Sequence, residues 1–159
     1  MTIMKHTVKF ILFIFTVYMF VSCENDLLKG FDITSPQAVV PVDTFEVNRG
    51  TVVTLRATLT DESGIASYNL SYASFEATGL QGWEIDASAN LQDLGYPKSY
   101  EFSADVLVPE LVMMSWEENY QKNDGTSFKI IQTYHKLALT FYDTHRNKNT
   151  VYFYIKVKE

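Results

Sequence analysis

The stretch GTVVTLRATLTDESG, residues 50–64, decides the fold class of this chain. Its apolar residues Val53, Leu55, Ala57 and Leu59 alternate with threonines and an arginine. Because successive side chains of a β-strand point to opposite faces of a sheet, this alternation predicts a strand with one buried face. The Asp-Glu-Ser-Gly run that follows is typical of a turn that ends such a strand.

Segments with the same two-residue period recur along the rest of the chain. They occupy residues 65–73, 99–108, 137–141 and 151–157, and polar runs such as DTHRNKN separate them. Short alternating strands with polar turns and no convincing helix are typical of antiparallel sandwiches. We therefore expect an all-β fold, with a single antiparallel β-sandwich over residues 36–159.

Two segments do not follow this period. For residues 74–98, which include Trp83, we expect irregular structure or an edge hairpin. Residues 109–122, PELVMMSWEENYQK, contain good helix formers and a proline suited to a first helical turn. They fit the end of a strand followed by a long loop equally well, so both alternatives stay open.

The N-terminus has the composition of a secretory leader. Residues 1–9 carry two lysines and no acid, and residues 10–21 are uncharged and mostly large and apolar. As a helix this apolar run spans roughly 18 Å, whereas the hydrocarbon core of a bilayer is about 30 Å thick. The pattern therefore predicts a signal peptide over residues 1–22 rather than a transmembrane helix.

The single cysteine, Cys23, follows the apolar run directly. Phe20-Val21-Ser22-Cys23 resembles the lipobox of bacterial lipoproteins. This resemblance implies that Cys23 is acylated, becomes the mature N-terminus and anchors the protein in a lipid bilayer. The three acyl chains of such lipoproteins exceed the two signals that stable anchoring needs. The alternative is a small cysteine buried in an apolar helix.

The residues after Cys23 predict a tether and a location. Residues 23–35 would form a lipidated tether, and the acidic residues Glu24 and Asp26 resemble the surface-export signal of Bacteroidota lipoproteins. The resemblance implies an outer-membrane protein whose domain lies at the cell surface or on the periplasmic face. Loss of two lysines with the leader changes the formal charge from −6 to −8, which disfavours nucleic acid as a partner.

Two longer segments, residues 59–72 and 134–157, resemble Ig-like β-sandwich domains of bacterial surface proteins. Asp61 and Asp143 stand at matching turn positions in that pattern. The nearest likeness is to small uncharacterised Ig-like lipoproteins of the Bacteroidota type. Such turn and strand motifs imply an Ig-like fold, but they specify fold better than function.

The sequence contains none of the common catalytic motifs. It has no Gly-x-Ser-x-Gly, no phosphate-binding glycine loop and no His-Glu-x-x-His. His135 falls on the inward parity of its strand, which predicts a packed, hydrogen-bonded side chain. We therefore expect neither an enzyme nor a cofactor.

The turn residues are the candidate metal ligands. If the turn after the 50–64 stretch and the DTHRNKN turn lie at the same end of a sandwich, Asp61, Glu62, Asp143 and Asn147 could offer oxygen atoms to calcium. The favoured alternative is that these side chains serve their own turns, as Asp and Asn commonly do.

Exposed aromatic residues give the best indication of function. Tyr142, Tyr152 and Tyr154 fall on the outward parity of the last two strands, and Trp83 and Trp116 could add to that face. Exposed rings stack on sugars or anchor protein contacts, although a structural role is the alternative. The predicted function is a non-catalytic binding module for a glycan or a partner protein. The alternative is a structural component of an envelope or fimbria-like assembly.

Overall fold

The computed structural model of this protein describes residues 32–74, 82–85 and 87–158, which are nearly all in strands and turns. Their ten strands are β1 (Gln37–Val39), β2 (Thr44–Asn48), β3 (Val52–Thr60), β4 (Ile65–Tyr72), β5 (Ala87–Asn90), β6 (Ser99–Leu107), β7 (Trp116–Gln121), β8 (Ser127–Gln132), β9 (His135–Asp143) and β10 (Lys148–Lys158). A short 3₁₀ helix covers Gln92–Leu94. Within these ranges no helix is long and apolar enough to cross a membrane. The described chain is all-β, as predicted.

The predicted leader, Cys23 and most of the predicted tether lie outside the described residues. Their lipidation and cleavage therefore stay predictions from the sequence.

The ten strands form three sheets. One sheet has the order β1-β3-β6, a second has the order β2-β10-β9-β4-β5, and β7 pairs only with β8. All neighbouring strands are antiparallel except β2 and β10, which run parallel with Tyr154 opposite Thr44 and Lys158 opposite Asn48. The β7–β8 hairpin is thus a separate element between β6 and β9 in the chain.

The core contains the inward-facing residues of both larger sheets. On β3 buried side chains alternate with exposed or half-buried ones, and on β6 buried or half-buried side chains alternate with exposed ones, as the two-residue period predicts. Side chains that are essentially inaccessible to solvent are Leu55, Leu59, Ile65, Phe102, Leu137, Leu139, Phe141, Phe153 and Ile155. Since nonpolar surface removed from water contributes about 25 cal/mol per Å², this cluster is the main source of stability.

One departure from the expected alternation occurs at the start of β4. The register against β9 shifts between Ile65 and Ser67, which marks a bulge at Ala66. As a result Ile65 is fully buried while Ala66 is only half-buried. A bulge adds one residue to one strand and so changes which side chains face the core.

The segment 109–122 is a loop followed by a strand, so its helical alternative is wrong. Trp116 and Glu118 are buried whereas Glu117 and Asn119 between them are exposed, which is the period of a strand. Of residues 74–98, β5 pairs with β4 at a sheet edge. Residues 75–81 and 86 lie outside the description.

Candidate functional site

The tyrosines of β9 and β10 lie on one outer face but do not form one patch. Tyr142 is 37% exposed and Tyr152 is 39% exposed, and Tyr154 is half-buried. Tyr152 pairs with Ala138, four residues from Tyr142 along β9. At about 3.4 Å per residue, Tyr142 and Tyr152 are roughly 13 Å apart along the strand. Tyr142 therefore does not contact Tyr152 across the strands, whereas Tyr152 and Tyr154 are neighbours on the same face of β10.

Trp83 is buried, so the expectation of an exposed ring is wrong, and its role in ligand binding stays a prediction. It is only 6% exposed, it stacks on Tyr72 with 5.9 Å between ring centroids, and it contacts the His135 ring at 5.2 Å. A large aromatic residue in an irregular segment has folded back onto the core, where it removes more nonpolar surface from water. Its indole N–H has no hydrogen-bond partner among the described residues.

The two turns proposed for calcium do meet. Thr144 donates a hydrogen bond from its backbone N–H to Gly64 O, and its hydroxyl donates to Ser63 O, each at 3.1 Å. The β3–β4 and β9–β10 turns therefore lie at the same end of the domain, as expected.

The carboxylates in those turns, however, serve their own backbones. Asp61 Oδ1 accepts hydrogen bonds from the N–H of Ser63 at 2.8 Å and from its hydroxyl at 2.6 Å. Asp143 Oδ1 accepts from the backbone N–H groups of His145 and Asn147, both at 2.8 Å, and Oδ2 accepts from the Asn147 amide at 2.7 Å. In the described chain, neither Asp61 nor the neighbouring Glu62 belongs to a group of three possible metal ligands.

A groove of about 430 Å³ lies where the β7–β8 hairpin meets the ends of β4, β9 and β10. We call it the hairpin groove. Its lining residues are Ala73, Ser74, Trp116, Glu118, Tyr120, Gln132, Tyr134, Lys136 and Tyr154. Its volume is typical of sites for small molecules or short segments of a polymer.

Glu118 is one of the hairpin residues that line this groove. It is only 7% exposed, and its Oε1 accepts a hydrogen bond from the Trp116 indole N–H at 2.9 Å. Its Oε2 accepts from the Tyr120 hydroxyl and, at 3.1 Å, from the Gln132 amide. These residues meet because Trp116, Glu118 and Tyr120 share one face of β7 and Gln132 pairs with Trp116 across the hairpin. The hydrogen bond to Glu118 also raises the pKa of Tyr120.

His135 connects the hairpin groove to the core. Its Nε2 donates a hydrogen bond to Met113 O at 2.7 Å, and its Nδ1 accepts one from the Tyr72 hydroxyl at 2.9 Å. Since a carbonyl oxygen can only accept, Nε2 carries a proton, and a neutral ring then accepts from the Tyr72 hydroxyl at Nδ1. Burial lowers the pKa of His135. The Trp116 ring packs on this imidazole at 4.8 Å, so the predicted packed histidine is confirmed and it also supports one wall of the groove.

Lys136 carries the second charge of the groove lining. Its Nζ lies 3.7 Å from the centroid of the Tyr152 ring, in cation–π contact. Tyr152 is not a lining residue, but Tyr154, which pairs with Lys136, is. Of the predicted tyrosines, therefore, one lines the groove and one contacts it through Lys136.

The groove combines aromatic rings, a fixed carboxylate acceptor, an ammonium group and an amide. Such a set can hold a ligand that has apolar surface and several hydroxyl groups. No protein-family model matches this chain, and no curated protein matches it either. The chemistry of the groove therefore carries the functional conclusion.

Proposed function

We propose that this protein is a lipid-anchored, non-catalytic binding module of the bacterial outer membrane that holds a glycan in the hairpin groove. The single observation that carries this proposal is the composition of the groove, in which aromatic side chains surround a hydrogen-bonded carboxylate. The anchor is acylated Cys23 after removal of residues 1–22, with the domain at the cell surface or on the periplasmic face.

Glycans fit this groove because a sugar ring has an apolar C–H face and a polar edge. Aromatic rings such as those of Tyr134 and Tyr154 offer flat surfaces for the apolar face. Glu118 can accept hydrogen bonds from hydroxyl groups, and Lys136 can donate to their oxygens. A few fixed polar groups among aromatic ones is the usual arrangement of small-ligand sites.

The number of carboxylates in the groove favours a binding role over hydrolysis. Glycoside hydrolases use two carboxyl groups about 5–10 Å apart. Glu118 is the one carboxylate among the described residues that line the groove. Its hydrogen bonds to Trp116 and Gln132 also hold it in the wall rather than against a scissile bond.

The scaffold proposed for this groove is a single Ig-like sandwich. In support, β3 and β6 pair in one sheet while β4, β9 and β10 are neighbours in the other. This is the relation of strands B and E to strands C, F and G in an Ig domain. The β7–β8 hairpin is then an insertion between strands E and F, and it supplies half of the groove.

The test uses the full chain in mild detergent and a panel of oligosaccharides, with tryptophan fluorescence and calorimetry as readouts. Tyr154→Ala is expected to weaken binding about tenfold, because it removes one ring surface of the groove. Tyr142→Ala is the matched control, since it removes an exposed tyrosine of the same outer face that does not line the groove. Absence of binding across the panel, or equal losses in both variants, would contradict the proposal.

A second candidate function, a structural component of an envelope or fimbria-like assembly, is favoured by the exposed apolar residues of β8. Phe128 is 41% exposed, Ile130 is 39% exposed and Ile131 is 68% exposed. Apolar strands exposed in this way commonly contact other proteins. Crosslinking in intact cells is then expected to recover a partner protein. Ile131→Lys should abolish this crosslink, whereas Tyr154→Ala should leave it unchanged.

The anchor and the location need a separate experiment on whole cells. The mass of the wild-type protein is expected to show acylation. Cys23→Ala should lack this added mass and should be released from the membrane fraction. External protease then distinguishes the cell surface from the periplasmic face. An unchanged mass and unchanged fractionation in Cys23→Ala would contradict the proposed anchor.

A further inference from the structure

We propose that a groove at the C-terminal end of β6 binds an extended segment of a partner protein in which apolar side chains are flanked by lysine or arginine. The groove has a volume of about 700 Å³, and we call it the β6 groove. Its lining includes the acids Glu84, Asp105 and Glu110 and the apolar residues Leu107, Pro109 and Leu111. It shares no described lining residue with the hairpin groove, so it is a second surface beyond the proposed function.

The β6 groove contains apolar side chains that are exposed to solvent. Leu111 is 89% exposed and Leu107 is 57% exposed. Val52, which is 56% exposed, lies directly opposite Leu107 on β3, so these two side chains share the outer face of the sheet. Large apolar side chains that are grouped on a surface mark contacts with other molecules. The occupant of the groove therefore brings apolar side chains to this group.

The charge around these apolar residues is negative. The described lining holds three carboxylates and no lysine or arginine. The Asp105 carboxylate accepts a hydrogen bond from the neutral Thr54 hydroxyl at 2.6 Å, which leaves its charge in place. The ion pairs of the described residues are made by Glu46 and Glu117, on β2 and β7, and not by the acids of this groove. Cationic groups beside the apolar side chains of the occupant therefore complement the groove.

The turn between β2 and β3 provides the room for the Glu110 carboxylate. Gly50 in this turn has a φ of 69°, and a Cβ at this position would collide with that carboxylate. The Gly50 N–H donates a hydrogen bond to Val108 O at 2.9 Å, which holds the turn against the end of β6. Arg49 in the same turn donates from its Nε to Val112 O at 3.1 Å. The carboxylate thus lies against the glycine, at the groove.

The free edge of β6 favours a peptide as the occupant. β6 is the last strand of its sheet, and among the described strands it pairs only with β3. Lys98 O and Val108 N–H make hydrogen bonds to the β3 side at the two ends of this pairing, at 3.0 and 2.9 Å. The register between them has no shift, so the even-numbered residues face β3. The backbone groups of Asp105 and Leu107 therefore point to the free edge, where an extended segment can pair with them.

The net charge of the chain acts in the same direction as the groove. The formal charge of the whole sequence is −6. A negative protein attracts basic segments and repels anionic ones during encounter. Long-range and local electrostatics thus favour a basic partner segment over an acidic one.

The experiment measures binding of a labelled, blocked heptapeptide in which lysine alternates with leucine. Fluorescence anisotropy follows its binding to the full chain in mild non-ionic detergent. Two further peptides carry glutamate in place of the lysines or serine in place of the leucines. Both are expected to bind about tenfold more weakly than the first peptide, because each lacks one half of the complementarity.

Two variants assign this binding to the β6 groove. Leu111→Ser is expected to weaken it about tenfold, because it removes the most exposed apolar side chain of the lining. Ile131→Ser is the matched control, since Ile131 is a 68% exposed aliphatic residue of β8 outside the groove. Glu84→Gln is expected to weaken binding about threefold and to reduce its dependence on salt. Glu117→Gln, on the exposed face of β7, is the control for charge.

Equal affinity for the three peptides, or no binding of the lysine peptide, would overturn the inference. Equal losses in Leu111→Ser and Ile131→Ser would also overturn it, because the peptide would then not bind in the β6 groove. Light scattering of the full chain in the same detergent tests a second copy as the occupant. A dimer that Leu111→Ser dissociates would place that copy in the groove and overturn the inference.

Discussion

The hairpins β9–β10 and β7–β8 have the same antiparallel pairing but very different burial. β9–β10 pairs along eight residue positions and places Leu137, Phe141 and Phe153 in the core. β7–β8 pairs along six positions, and only Trp116 and Glu118 are buried in it. The first hairpin is part of a larger sheet, whereas the second is a two-stranded sheet of its own.

This difference shows how stability and recognition are divided in the chain. The register of β9–β10 is fixed by its buried face, because a slip of one residue would turn every core side chain to solvent. The β7–β8 hairpin depends instead on the packing of Trp116 against His135 and on the hydrogen bonds of Glu118. An element with few buried contacts opens locally at low cost. Of the groups proposed to bind the ligand, Glu118 lies on that element, whereas Lys136 and Tyr154 lie on β9 and β10.

The largest contrast is expected from removing one phenylalanine ring from each hairpin. Phe153→Ala should lower the free energy of unfolding by about 3–5 kcal/mol, because it leaves a cavity in the core. Phe128→Ala should change it by about 1 kcal/mol or less, since Phe128 is 41% exposed and loses mainly its stacking on Tyr120. Urea unfolding of the full chain in mild detergent, followed by circular dichroism, measures both. Similar losses in the two variants would show that β7–β8 is as integral to the fold as β9–β10.

A smaller contrast is expected between the turns of the two hairpins. Asp143 is buried and accepts three hydrogen bonds from His145 and Asn147, so Asp143→Ala should cost about 2–4 kcal/mol. Asp124 in the β7–β8 turn is exposed and bonds only to the backbone and hydroxyl of Thr126. Asp124→Ala should therefore cost much less in the same unfolding assay. Equal losses of stability in the two variants would show that the buried hydrogen bonds of Asp143 do not stabilise its turn more than the exposed ones of Asp124 stabilise theirs.

The sheets were predictable from the sequence because a two-residue period has only one geometric meaning. Val53, Leu55 and Leu59 on β3 alternate so regularly that their burial follows from the period alone. The fate of residues 109–122 was not predictable in this way, because intrinsic helix preference and the weak period of β7 point to different structures. Tertiary contacts of Trp116 with His135 favour the strand.

The hairpin groove could be predicted only in part. Tyr154 was expected to face outward, and it lines the groove. Glu118 and Gln132 were missed, because a glutamate on a strand normally faces solvent. The burial of Glu118 depends on its contacts with Trp116 and Gln132, which are visible only in the structure. The Trp-x-Glu-x-Tyr spacing from Trp116 to Tyr120 was the available signal. Trp83 was assigned to the surface because its long-range stacking on Tyr72 leaves no local pattern.

The smallest effect is expected in the pH dependence of stability, which tests the contact of His135 with Trp116 that joins the two hairpins. Burial lowers the pKa of His135 below its ordinary value of 6.5, so between pH 6.5 and the lowered pKa the unfolded chain binds a proton that the folded chain does not. Stability should therefore fall as the pH falls through this window, by at most about 1.4 kcal/mol per pH unit. Carboxylates titrate mainly near pH 4 and contribute below it. Urea unfolding at pH 7.5, 6.5 and 5.5 measures the slope, which His135→Phe should flatten. An unchanged slope in His135→Phe would mean that another group couples protonation to folding, and that the Trp116 wall does not depend on the neutral imidazole.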